Sequence, residues 1–196
     1  MRRMDEEGLG EALPGRTVRI ERVLPGPAER IWDYLVDSEK RRQWLARGAI
    51  EPSPGGRVEH LFRHHEISHE PTPAAYAQMT DSAPMHGKVT QWDPPRLLAY
   101  TWPGDNGASE VTFELFPEGA DVVLVVTHRG LADRPSMVSV AAGWEAHLGI
   151  LIDRLEGNTP RGFWSAHERL SAHYDRRLPN VGSPPPAVNT GAKACG

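Results

Sequence analysis

Between Ala141 and Leu155 apolar residues recur every three or four positions. Ala141, Trp144, Leu148, Leu151 and Leu155 form one stripe, with Ile152 thickening it, the pattern of a long amphipathic helix. Gly157 stops it. Upstream the period is two rather than 3.6. "SEVTFELFPEGADVVLVVTHRGL" reads as two strands joined across "PEGA". A helix with one apolar stripe and a sheet with one apolar face satisfy each other when the helix lies across the sheet. If that sheet is strongly bent, space is left between the two.

The remaining segments fit the same plan. "RTVRIERVL" alternates Val18, Ile20 and the Val23/Leu24 pair with charged positions, as a half-buried strand does. Pro27 stands where a first helical turn accepts proline, and Ile31, Trp32, Leu35 and Val36 keep helical spacing. Asp37-Ser38 recaps a second short helix carrying Trp44 and Leu45. After a Pro-Gly-Gly turn, Val58, His60 and Phe62 share one face of a strand. Residues 63–86 read as a long insert loop rich in His and Pro. Strands return at "HGKVTQWD" and "RLLAYTWPG". A last helix is expected from Thr159 as N-cap and Pro160 as first residue, with Phe163, Leu170 and Tyr174 on one side. Residues 1–15 read as a flexible lead, 16–178 as one domain, and 179–196 as a disordered tail with too little to bury. The expected class is α+β: a curved antiparallel sheet wrapped around a long C-terminal helix, with two short helices after the first strand.

Composition removes several function classes. A net charge of −4 argues against nucleic acid as a partner. The single cysteine, Cys195, allows no internal disulfide, and a terminal thiol lacks the held partner that catalysis needs. No apolar run is long enough to span a bilayer, and the N-terminus has no apolar signal core. A cytoplasmic location is the default expectation. "PSPGGR" lacks the spacing and the lysine of a phosphate loop.

"RVLPGPAERIWDYLVDSEKRRQWL", "GGRV", "GKVTQWDPPRLLAYTW", "VTFELFPEGADVVLVVTHRGL" and "GWEAHLGILIDRLEG", in that order, resemble the SRPBCC (START-like, Bet v 1-like) superfamily. Within it they are most similar to the branch named for the activator of heat-shock protein 90 ATPase. The resemblance covers roughly Thr17 to Leu178 and implies the helix-grip fold. It is poorly specific for function, because the superfamily includes lipid carriers, hormone receptors, cyclases and antibiotic self-resistance proteins. The His-rich insert departs from the usual pattern.

Candidate site residues follow from which faces turn inward. His147 borders the buried stripe, either as a polar group reaching into a cavity or as a satisfied histidine at the helix edge. His128 ends a strand whose two faces are both apolar, so alternation leaves its direction open. The resemblance places that strand end beneath the long helix, near His147. These two are the candidate acid–base residues, without a carboxylate partner, since Glu145 falls on the helix's other side. His60, His64, His65 and His69 lack zinc-type spacing, and "HHEISHE" reads as polar surface, so neither metal nor cofactor is expected. Trp102 and Trp144 face the space between sheet and helix, as core or as pocket wall. Trp44, Phe62, Tyr100, Phe113, Met137, Leu148 and Leu151 complete the candidate ligand-binding set.

Three functions are then open. The first is a binder of a hydrophobic or aromatic small molecule between sheet and helix. The second is a cyclase- or hydrolase-type enzyme using His128 and His147. The third, implied by the branch name, is a protein that engages a chaperone and stimulates its ATPase. Such co-chaperones carry an additional N-terminal domain that this sequence lacks. A homodimer is a further option.

Overall fold

The computed structural model describes residues 9–79, 83–104 and 107–178, so the expected tail lies outside the described residues, as do residues 1–8 of the lead. Seven strands form one curled, unclosed antiparallel sheet: β1 (Glu11–Leu13), β2 (Thr17–Pro25), β3 (Arg57–His60), β4 (Met85–Asp93), β5 (Leu97–Trp102), β6 (Ser109–Glu118) and β7 (Asp121–Arg129). Their order is β1-β2-β7-β6-β5-β4-β3. Two short helices, α1 (Ala28–Val36) and α2 (Ser38–Arg41), follow β2, and α3 (His64–Ile67) follows β3. The long helix α4 (Arg134–Leu155) lies over the sheet, and α5 (Phe163–Arg177) packs against α4. This is the expected α+β helix-grip arrangement.

Register decides which faces turn inward. Val18 pairs with His128, and His128 with Val111. Ile20 pairs with Val126, and Val126 with Phe113. Directly opposed residues share a face, so these rows build one continuous buried surface, and His128 belongs to it with Leu124 and Val126. The ambiguity along this strand is thereby resolved toward His128.

Helix α4 starts at an N-cap, the Asp133 carboxylate accepting from Ser136 N at 2.8 Å. It ends where Gly157 takes φ 74°, a left-handed conformation that costs glycine little. Between the two it spans about 33 Å at 1.5 Å per residue. Its second half has almost no solvent face, because the sheet covers one side and α5 the other.

Four differences from the expected layout have local causes. The expected lead contains β1, because a tight turn at Gly15 (φ 77°) and Arg16 (φ 55°) folds it back onto β2. The insert is partly helical, with α3 and a 3₁₀ turn at Ala74–Met79, and β4 begins inside it. Helix α2 stops at Arg41, so Trp44 and Leu45 follow it rather than ride on it. Helix α5 begins at Phe163 and not at Pro160. Arg161 is held back by Asp153, whose carboxylate accepts from its backbone N–H at 2.8 Å and from its side chain. The first turn of α5 is then satisfied by the insert: Ser68 Oγ accepts from Phe163 N at 3.2 Å and Glu70 from Ser165 N at 3.0 Å.

On the side of α4 away from the cavity, Glu145 is buried (1% exposed). It pairs with Arg22 of β2, accepts from Gly10 N at 2.9 Å and accepts from Tyr174 Oη of α5 at 2.8 Å. Four segments meet on one carboxylate. Burial, with that carboxylate beside it, pushes the Tyr174 hydroxyl's pKa upward. We expect Arg22→Leu, which leaves a buried charge uncompensated, to cost about 3–5 kcal/mol in urea denaturation. Adding Glu145→Leu should return a large part of that loss. Additive losses would show that the pair is not coupled.

Candidate functional site

A cavity of about 400 Å³ opens between the sheet, α4, α5 and the insert. Its wall is mainly aromatic. Trp102 of β5 and Trp144 of α4 meet edge to face at 5.4 Å, and Phe113 meets Trp144 at 5.4 Å from beneath the helix. Such offset geometries favour aromatic rings over simple apolar contact.

His128 is fastened at both ring nitrogens. Trp144 Nε1–H donates to its Nδ1 at 3.1 Å, which leaves the ring proton on Nε2. That nitrogen lies 2.8 Å from Ser109 Oγ, which passes its own proton to the Trp102 carbonyl at 3.2 Å. The chain of hydrogen bonds runs from Trp144 through His128 and Ser109 to the Trp102 carbonyl, linking two cavity tryptophans through β6 and β7. Burial holds the His128 pKa down at about 4, so the ring is neutral.

His147 is held differently. Its Nδ1 lies 2.6 Å from the Trp44 carbonyl, in the segment after α2. Burial, with a smaller contribution from nearby His64, holds its pKa at about 3. His64 itself is kept at about 4 by burial, then by His167. His60, buried beside Tyr100 and Trp102, is kept at about 3 by burial and then by the Arg41 charge. Its two ring nitrogens have no partner among the described residues.

Of the expected ligand-binding residues, Phe62, Trp102, His128, Trp144 and His147 stand in the cavity wall. Trp44, Tyr100, Phe113, Met137, Leu148 and Leu151 lie in the packed core, each no more than 4% exposed. Several of these support the wall from behind, as Trp44 does for His147 and Phe113 for Trp144. Sequence reasoning missed the far wall, made by His64 and Tyr76 of the insert and by Phe163, Trp164 and His167 of α5. His64 was read as surface. The single turn of α3 instead turns His64 and Ile67 inward together and leaves His65 and His69 exposed. Tyr76 stacks on Trp164 at 4.7 Å, so the insert and α5 form one wall. The usable signal was the Phe163-Trp164/His167 cluster, one turn apart on a helix. Among the described residues, no group of three or more His, Cys, Asp or Glu converges as a metal site.

Residues 25–156 match the family described as Activator of Hsp90 ATPase homolog 1-like protein. The chain belongs to that family. Among solved structures, the chain is similar to a Bordetella parapertussis protein at 41% identity, with a TM-score of 0.77 over 90% of this chain and 94% of that one. CalU16 from Micromonospora echinospora shares the fold at 18% identity, TM-score 0.63, over 86% of this chain and 93% of its own. The Aha1 dimer from Colwellia psychrerythraea does so at 17% identity, TM-score 0.53, over 71% and 96%. No curated protein matches the chain. No helix among the described residues is long and apolar enough to cross a membrane.

Neutral buried histidines make stability depend on pH. Below the ordinary value of 6.5 the unfolded chain takes up protons that His60, His64, His128 and His147 refuse when folded. Their contribution is intact above that value and is lost as pH falls toward the depressed values, by about 1.4 kcal/mol per pH unit for each ring. Urea unfolding across this acid range should show the slope, and His128→Asn should make it shallower. A flat profile would mean the rings protonate freely in the folded protein.

Proposed function

We propose that this domain holds a hydrophobic, aromatic small molecule in the cavity between sheet and α4, residues 16–178 forming the binding unit. Gly143 carries the reading. It sits inside α4, where glycine costs about 1 kcal/mol relative to alanine. It lines the cavity, and a Cβ placed there would meet nothing within 4 Å. Packing does not require a glycine at this position. What the missing side chain leaves is volume, in a cavity that Trp102 and Trp144 also line.

The wall chemistry favours holding over turnover. His128 has both nitrogens committed, and His147 is too weak a base at neutral pH to take a proton. A cyclase or hydrolase would need an acid–base pair that these two rings do not supply.

A second reading keeps the family's name literally. Val23 and Phe116, each 46% exposed, both oppose Val123 in the sheet register, forming an apolar row on the face turned away from α4. Such a row suits a protein partner, a chaperone or a second copy. Co-purification with the host's heat-shock protein 90 and an ATPase assay would test the chaperone case, and unchanged ATPase rates would dismiss it.

For the cavity, Gly143→Leu is the direct test. We expect a variant that melts higher than the native protein and no longer binds two- and three-ring aromatics by calorimetry. Gly143→Ala should be more stable by about 1 kcal/mol and bind more weakly. Undiminished binding to both variants would place the ligand elsewhere.

A further inference from the structure

The hydrogen bond between His147 and Trp44 dictates what the cavity presents to a ligand. A carbonyl oxygen can only accept, so the proton of the neutral imidazole sits on Nδ1. Nε2 is therefore a bare lone pair on a ring that lines the cavity, and among the described residues it has no hydrogen-bond partner. The ring is 6% exposed. Its neighbours across the wall are Phe62 at 6.2 Å and Phe163 at 4.7 Å, which offer no donor. His64 stands 5.7 Å away, and its Nδ1 is buried without a partner among the described residues. A lone pair that faces an apolar cavity gains when a donor reaches it.

The charge of the wall narrows the guest further. Among the described residues lining the cavity there is no Lys, Arg, Asp or Glu. A carboxylate or phosphate would enter without a counter-charge, at a large desolvation cost. Resting on the cavity reading above, we propose that the site selects neutral aromatic ligands bearing a hydroxyl, which donates its hydrogen bond to Nε2 of His147. The hydroxyl oxygen keeps lone pairs that can accept from a proton on His64. Because burial holds His147 at about 3, the hydroxyl keeps its proton, and the contact is one of recognition.

Naphthol, its methyl ether and naphthoate separate the possibilities by calorimetry. The ether keeps the rings and the oxygen but has no proton to donate, and the carboxylate adds a charge. Naphthol should bind about tenfold or more tightly than either. In His147→Leu the difference between naphthol and ether should vanish. Equal binding of naphthol and ether to the native protein, or tightest binding of naphthoate, would overturn the hydroxyl assignment and leave the cavity reading standing. Binding of none of the three would overturn both. Imidazole nitrogen NMR of the native protein gives a test that does not depend on a folded variant. It should find Nε2 of His147 unprotonated and shifted by naphthol but not by the ether. A proton resident on Nε2 would refute the assignment.

Discussion

Helix α4 has nowhere to expose a polar group along its second half. The sheet takes one side and α5 the other, so Glu145, His147 and Asp153 are all buried on one helix. A buried charge or polar atom without a partner costs several kcal/mol. Each must therefore be met by another element, and the fold is organised by those meetings. Glu145 gathers β2, α5 and the segment before β1. His147 reaches back to Trp44 in the segment after α2, and Asp153 pins the end of the connection that leads into α5. Breaking one such contact strands a charge, whereas an apolar pair could pack there at little loss. Buried polar partners from several segments therefore do more to define where α4 sits than to stabilise it.

The same constraint shapes the cavity. Aromatic side chains from the sheet and from α4 and α5 surround a space that the backbone geometry leaves open, and Gly143 keeps it from being filled. The imidazoles in that wall are kept neutral by their burial. His128 spends both of its nitrogens on joining two tryptophans, so it is part of the wall's rigidity. His147 spends one. Two histidines that sequence reasoning paired as equals thus serve different ends, because their hydrogen-bond partners differ.

Much of the architecture was legible in the chain. Local periodicity separates strand from helix, and "PEGA" and Gly157 act within a few residues of themselves. Trp102, Trp144 and His147 follow from alternation and from helical spacing, which tell a face without reference to distant residues. The insert resisted that approach. Its pattern is neither alternating nor long enough to show a helical period, yet Ser68 and Glu70 cap α5, and His64 and Tyr76 complete the cavity wall. Those roles depend on residues nearly a hundred positions away, which no local window contains.

The amino-acid sequence by itself determined the order of the main strands and helices, the apolar stripe of α4 and the apolar faces it can cover, since all of these rest on short-range spacing. Tertiary structure alone decided that His128 turns toward Trp144, because that choice rests on the register between β2, β6 and β7. It also decided which nitrogen of His147 is bare, because the proton's place is set by a carbonyl 103 residues earlier in the chain.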